Sequence, residues 1–228
     1  CDWSSDVCSS DLTGNFGALN RLKQEHPHLK TIISIGGWTW STNFPAVAAN
    51  PTKRATFVST AIEFMLTYGF DGIDIDWEFP VEGGPDPGTA EDPENFTKLL
   101  LELRAGLDSL DRHYELTLAT TQNPNRVQYL EIPKIAPVLD FINVMTYDFA
   151  GPWVKSIPTG HNAPLYQDPK NPTATASLFT VNAAVASYLD AGLPRDKLVL
   201  GVPFYGYIYG AVPPGENRGL YSDRKSTR

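Results

Sequence analysis

Short apolar runs rich in β-branched residues recur along the chain at 31–35, 72–77, 115–119, 141–145 and 198–202. Their length and composition predict five strands. Helical patterns fall between most of them. One is expected to begin after Asn50, a capping residue followed by Pro51 at the first helical position, and to end near Gly69. A second opens on Asp92-Pro93-Glu94 and sets Leu99, Leu100, Leu103, Leu107 and Leu110 at helical spacing. A third is expected over 175–189, stopping at Gly192. Strand and helix in alternation argue for βαβ units and an α/β fold on a parallel sheet. The segment 82–92, with Gly83, Gly84, Pro85, Pro87 and Gly88, reads as a long surface connection.

One predicted strand carries unusual chemistry. Residues 71–78 read Asp-Gly-Ile-Asp-Ile-Asp-Trp-Glu. Successive side chains of a strand point to opposite faces, so Asp74, Asp76 and Glu78 share one side while Ile73, Ile75 and Trp77 cover the other. Three acids on one face of so apolar a strand are costly unless that face lines a site, because carboxylates avoid burial without partners. The alternative is a solvated edge strand, but Phe70 upstream and Phe79-Pro80 downstream look like interior neighbours. Alternate carboxylates lie roughly 6.6 Å apart along a strand. At an effective dielectric near 20 they repel by about 2.5 kcal/mol, which raises and couples their pKa values. A general acid must hold its proton near neutral pH, and Glu78, last at the strand's exit, is the natural donor.

The octet resembles the DxxDxDxE signature of glycoside hydrolase family 18, the chitinases. Three further segments resemble motifs of that family in the right order. Ser34-Ile35-Gly36-Gly37-Trp38 resembles its third-strand motif, Met145-Thr146-Tyr147-Asp148 its sixth, and Gly201-Val202-Pro203-Phe204-Tyr205-Gly206 its seventh. The resemblance covers about residues 13–221 and implies a (β/α)8 TIM barrel, whose active sites sit at the C-terminal ends of the strands. The motifs do lie at predicted strand ends. The family pattern would place two strands before residue 13 and one after residue 221. The expectation is therefore an incomplete barrel, strands three to seven over 13–206, with 207–221 opening an insertion between strands seven and eight. Isolated, such an open barrel is expected to be poorly folded and inactive. The terminal stretches 1–12 and 222–228 resemble translated adapter sequence, the alternative being polar tails with a Cys1–Cys8 bridge.

The same resemblance implies roles. Glu78 would protonate the glycosidic oxygen while the substrate's own 2-acetamido carbonyl attacks the anomeric carbon, the exception among retaining glycosidases. Asp76 would bond the acetamido N–H, Asp74 would share a proton with Asp76, and Tyr147 would hold the acetamido carbonyl. Ser34 would support Asp74, and Asp71 would fix the strand entry. Sugar faces pack on aromatic rings, and Trp38, Trp153 and Tyr205 are expected to line the substrate groove. Trp40 and Phe149 suit groove or packing equally. Met145 is expected beneath the sugar, Asp148 on a sugar hydroxyl or in a capping role, and Trp77 in the core. Tyr207 departs from the pattern, since related enzymes often carry Arg there.

Composition narrows the remainder. The chain has 228 residues, 42% hydrophobic and 19% charged, enough for one globular core. A net charge of −8 disfavours nucleic acid and anionic membranes and suits a neutral polysaccharide. No apolar run approaches the length of a membrane span. His26, His28, His113 and His161 show no metal-ligand spacing, so neither metal nor cofactor is expected. The expected protein is a secreted monomer that binds chitin or chitooligosaccharide and cleaves it internally. Competing readings are an endo-β-N-acetylglucosaminidase of N-glycans and a chitin-binding lectin, against which Glu78 argues directly.

Overall fold

A computed structural model describes residues 14–153, 158–210, 212 and 218–222. The expected tail at 1–12, the expected tail at 222–228 apart from Ser222, and part of the expected insertion lie outside the described residues. In chain order the elements are α1 (Gly14–Glu25), β1 (Ile32–Gly36), α2 (Phe44–Ala49), α3 (Pro51–Tyr68) and β2 (Gly72–Asp76). Next come α4 (Asp92–Asp108), β3 (Glu115–Thr120), α5 (Pro124–Val127), α6 (Ile132–Ile135) and β4 (Phe141–Val144). The order closes with α7 (Val181–Asp190), a 3₁₀ turn (Arg195–Lys197) and β5 (Leu198–Leu200). All five predicted strands are present, and their pairings are parallel, as an α/β fold requires. The chain divides into two compact units, Cys1–Ala119 with Tyr129–Phe141, and Thr120–Gln128 with Ile142–Arg228.

In the first unit β2 pairs with β1 on one side and β3 on the other. This central place removes the edge-strand alternative. Ile73 and Ile75 are fully buried and Asp74 is 7% exposed, so both faces of the strand are covered. The strand ends at Asp76 rather than Trp77. Trp77 instead enters the core, stacked on Phe44 at 5.4 Å and edge-on to Phe96 at 5.0 Å. Phe70 and Phe79 are buried as expected.

Local signals set the helices. The Asn50 side chain accepts from the Thr52 and Lys53 amides at 3.0 and 3.1 Å, capping α3. Gly69 closes it at φ 73°, where the Phe70 amide reaches back to the Met65 carbonyl. On α4, Leu99, Leu100, Leu103 and Leu107 are fully buried, while Leu110 falls beyond the helix end. The expected surface connection before it is pinned by buried Asp92. That carboxylate accepts from the Val81 and Thr89 amides and the Thr89 hydroxyl at 2.9–3.0 Å. Helix α1 is not among the expected elements; Phe16 anchors it against Phe64, Tyr68 and Phe70.

In the second unit β4 pairs with β5. Here α7 begins at Val181, six residues later than the pattern at 175 suggests. The reason is Thr180, whose backbone is extended and whose hydroxyl accepts from the Ala183 amide at 3.1 Å. A residue in that state starts a helix and cannot lie inside one.

Candidate active site

The first unit gathers the acids. Register places Ser34, Asp74 and Thr117 in one row across β1, β2 and β3. Both hydroxyls donate to Asp74, from Ser34 at 2.7 Å and Thr117 at 2.5 Å. Each carboxylate oxygen of Asp74 is thereby engaged. Asp76, one alternate position further, has no such support. Its Oδ1 is buried with no hydrogen-bond partner, and its pKa is pushed up to about 6 by burial first and the Asp74 charge second. Repulsion between the acids therefore acts in the expected direction, but desolvation is the larger cause.

The turn after β1 fixes the backbone carrying these groups. Gly36 has φ 122°, and a Cβ there would sit 2.1 Å from the Asp76 carbonyl oxygen. Only glycine permits that approach. The Gly37 amide then donates to the same carbonyl at 2.7 Å. The motif is thus a close approach of two neighbouring parallel strands at their C-terminal ends. Buried Ser41 continues it, accepting from the Glu78 amide at 2.9 Å and facing the Gly37 and Asp76 carbonyls at 2.8 and 3.1 Å. Between these contacts Trp38 is half exposed and Trp40 is 80% exposed.

The second unit holds the hydroxyl and aromatic groups after β4. Met145 is half-buried, its amide donating to the Thr120 carbonyl at 2.9 Å. Gln122 donates to the Tyr147 carbonyl at 2.9 Å, and the Tyr147 and Tyr205 rings meet edge-on at 6.0 Å. Asp148 has φ 60°, a left-handed conformation, with its amide held by the Asn162 side chain at 3.0 Å. Tyr205 and Tyr207 both donate to Asp148 Oδ1 at 2.7 Å. Desolvation first, then the hydrogen bond to Asp148 and its charge, raises both phenols, Tyr207 to about 12. Tyr207, which departs from the family pattern, thus supplies Asp148 with a neutral donor. Trp153, half exposed, meets the Tyr207 ring edge-on at 4.8 Å. Phe149 is buried and belongs to the packing.

A family model for "Glycosyl hydrolases family 18" matches residues 1–227. The chain belongs to glycoside hydrolase family 18. It is 46% identical over 213 residues to "Chitinase A1" of Niallia circulans, covering 90% of this chain and 30% of that protein. It is 41% identical over 213 residues to "Chitinase 1" of Aphanocladium album, with 90% and 48% covered. Among solved structures, "Chitinase ChiA74 from Bacillus thuringiensis" superposes with a TM-score of 0.86 at 45% identity, covering 92% of this chain and 34% of that one. The chain thus spans less than half the length of these relatives.

The family signature's first acid, Asp71, sits apart from the others at the entry of β2. It accepts from the Thr31 amide at 2.9 Å and pairs with Lys23 at 2.5 Å and Arg112 at 3.2 Å. Burial alone would raise its pKa, yet Lys23, Thr31 and Arg112 together hold it below the usual carboxylate range. Nearby, the chain brings His113 to within 2.8 Å of Asp140 and 3.6 Å of Glu115. This cluster has no linear spacing that would betray it. Lys30 already pairs with Glu115, and Arg104 with Asp140 at 3.4 Å, so the group is an ion-pair network closed by its own cations. Among the described residues no helix is long and apolar enough to cross a membrane. Sequence reasoning missed Ser41, Thr117, Gln122 and Asn162. Only Ser41 lies close to a motif in the chain; Thr117, Gln122 and Asn162 reach theirs from 14 to 43 residues away, and neutral hydroxyls and amides carry no pattern of their own.

Proposed function

We propose that the protein hydrolyses β-1,4-linked N-acetylglucosamine polymer internally, by a substrate-assisted retaining mechanism with Glu78 as general acid and base. The observation that carries this is the unequal treatment of the paired acids. Asp74 is saturated by Ser34 and Thr117, whereas Asp76 keeps a buried, unpartnered oxygen beside it. A carboxyl in that state suits a substrate N–H donor and a developing positive charge.

On this reading Glu78 gives its proton to the glycosidic oxygen as the C–O bond breaks. The acetamido carbonyl oxygen forms the new bond to the anomeric carbon, and the ring nitrogen's charge in the resulting oxazolinium is balanced by Asp76. Water, deprotonated by Glu78, then opens the ring with net retention. Asp74 exchanges a proton with Asp76, and Ser34 supports it. The reading requires the Tyr147 hydroxyl to reach the acetamido carbonyl, a near-attack restraint. It assigns Trp38, Trp153, Tyr205, Met145 and Asp148 to the sugar chain, and leaves Asp71 structural. It also takes the five strands as part of a (β/α)8 barrel completed by flanking segments in a secreted, monomeric parent protein. The relatives' names as chitinases support chitin or chitooligosaccharide as the ligand.

The test uses that parent protein. Glu78→Gln is expected to abolish hydrolysis of a labelled chitin hexamer while retaining its binding. Unchanged turnover removes Glu78 as the acid, and an intact hexamer beside trimming of an N-glycosylated protein by the unmutated enzyme transfers the substrate to glycoproteins.

A further inference from the structure

We infer that Ser41 is a positioning residue for Glu78, an inference that rests on the reading of Glu78 as proton donor. Ser41 is 4% exposed and precedes α2, outside the acid motif. Its hydroxyl oxygen accepts the Glu78 backbone N–H at 2.9 Å. Its single proton is directed to the Gly37 carbonyl at 2.8 Å or the Asp76 carbonyl at 3.1 Å. The Asp76 carbonyl is held in turn by the Gly37 amide at 2.7 Å. One hydroxyl therefore ties the turn after β1 to the backbone on both sides of Trp77.

This matters because β2 ends at Asp76, so no ladder hydrogen bond of that strand reaches Glu78. The acid lies two residues past regular structure. Trp77 between them is clamped by Phe44 and Phe96, which fixes the intervening side chain. Ser41 fixes the amide that follows. Together they fix the Glu78 backbone against the Asp76 carbonyl, the base from which the Glu78 side chain must reach the leaving oxygen. A hydroxyl is the group that fits, because the buried site presents one donor and two acceptors within reach. Alanine would leave the Glu78 N–H without its Ser41 acceptor.

In the parent protein, Ser41→Ala is compared with Ser41→Thr and Glu78→Gln for turnover, oligosaccharide affinity and the pH profile of kcat. Ser41→Ala is expected to lower kcat about 10- to 100-fold, the scale of a sub-ångström to one-ångström misplacement. KM should stay within about three-fold, as for an interaction realised in the transition state. The alkaline limb of the kcat profile should shift by about half a pH unit or more, because the donor is re-sited relative to Asp76. Ser41→Thr, which keeps the hydroxyl, should recover most of the rate. An unmoved kcat and pH limb in Ser41→Ala overturn the inference even where its melting temperature falls. If Ser41→Ala does not fold, Ser41→Cys decides by the same readouts, since a thiol is a weak acceptor; a wild-type rate and limb there refute it. Activity surviving in Glu78→Gln defeats the proton-donor reading instead, and the two failures are thereby distinguished.

Discussion

Replacing Asp76 with asparagine removes a charge that burial penalises while keeping the side chain's shape. The folded pKa is about 6 against a reference of 3.8. About two pKa units correspond to about 3 kcal/mol at roughly 1.36 kcal/mol per unit. Asp76 is only partly buried, and solvent screening reduces this to about 1–2 kcal/mol. A carboxyl raised on folding binds its proton more tightly in the native state. Its contribution is therefore fully present below pH 3.8 and is lost as pH rises through 3.8 to about 6. The asparagine variant lacks this titration. At pH 7 it should be the more stable protein by about 1–2 kcal/mol, and near pH 3.5 the two should converge. Urea unfolding of both proteins across this range gives the difference curve, from which groups not coupled to Asp76 cancel. Asp74→Asn should move the curve to lower pH without abolishing it, because burial outranks the Asp74 charge. A flat difference curve, or a wild type that gains on the variant as pH rises, refutes the reasoning.

Three further outcomes follow from the geometry. Asp71→Ala should destabilise by about 3–5 kcal/mol, since it removes the counter-charge of Lys23, which keeps the Gly69 carbonyl, and the acceptor of the Thr31 amide. Because the Asp71 pKa is depressed, its contribution is present above the unfolded value and lost as pH falls through the folded one, so an acid midpoint unchanged in the variant contradicts it. Gly36→Ala places a Cβ 2.1 Å from the Asp76 carbonyl at a φ of 122° and should cost about 3 kcal/mol or more; a wild-type denaturation midpoint sinks that claim. Asp148→Asn should lower the Tyr207 pKa from about 12, though not to an ordinary value, because desolvation is the larger cause. Ultraviolet titration of phenolate absorbance in Asp148→Asn and Asp148→Asn/Tyr207→Phe checks this, and an unshifted tyrosine band rejects it.

Much of this protein was legible in the linear chain because it rests on local rules. Asn50 and Gly69 bracket α3 by capping chemistry that needs no tertiary partner. Period-two alternation divided Ile73 and Ile75 from Asp74 and Asp76, and put Trp77 in the core. The late start of α7 was not legible, because 175–180 suits a helix until the Thr180 hydroxyl takes up the Ala183 amide. Other features were set only when distant strands met. Thr117 reaches Asp74 across a register that no spacing encodes. The sequence determined that Asp74 and Asp76 share a face, since alternation is a property of the strand that carries them. Tertiary structure decided that Asp74 is bonded and Asp76 left with an open oxygen, because burial and hydrogen-bond partners come from segments 35 to 43 residues away. The same holds for Gly36, whose need for a bare Cα arises only where the Asp76 carbonyl presses against it.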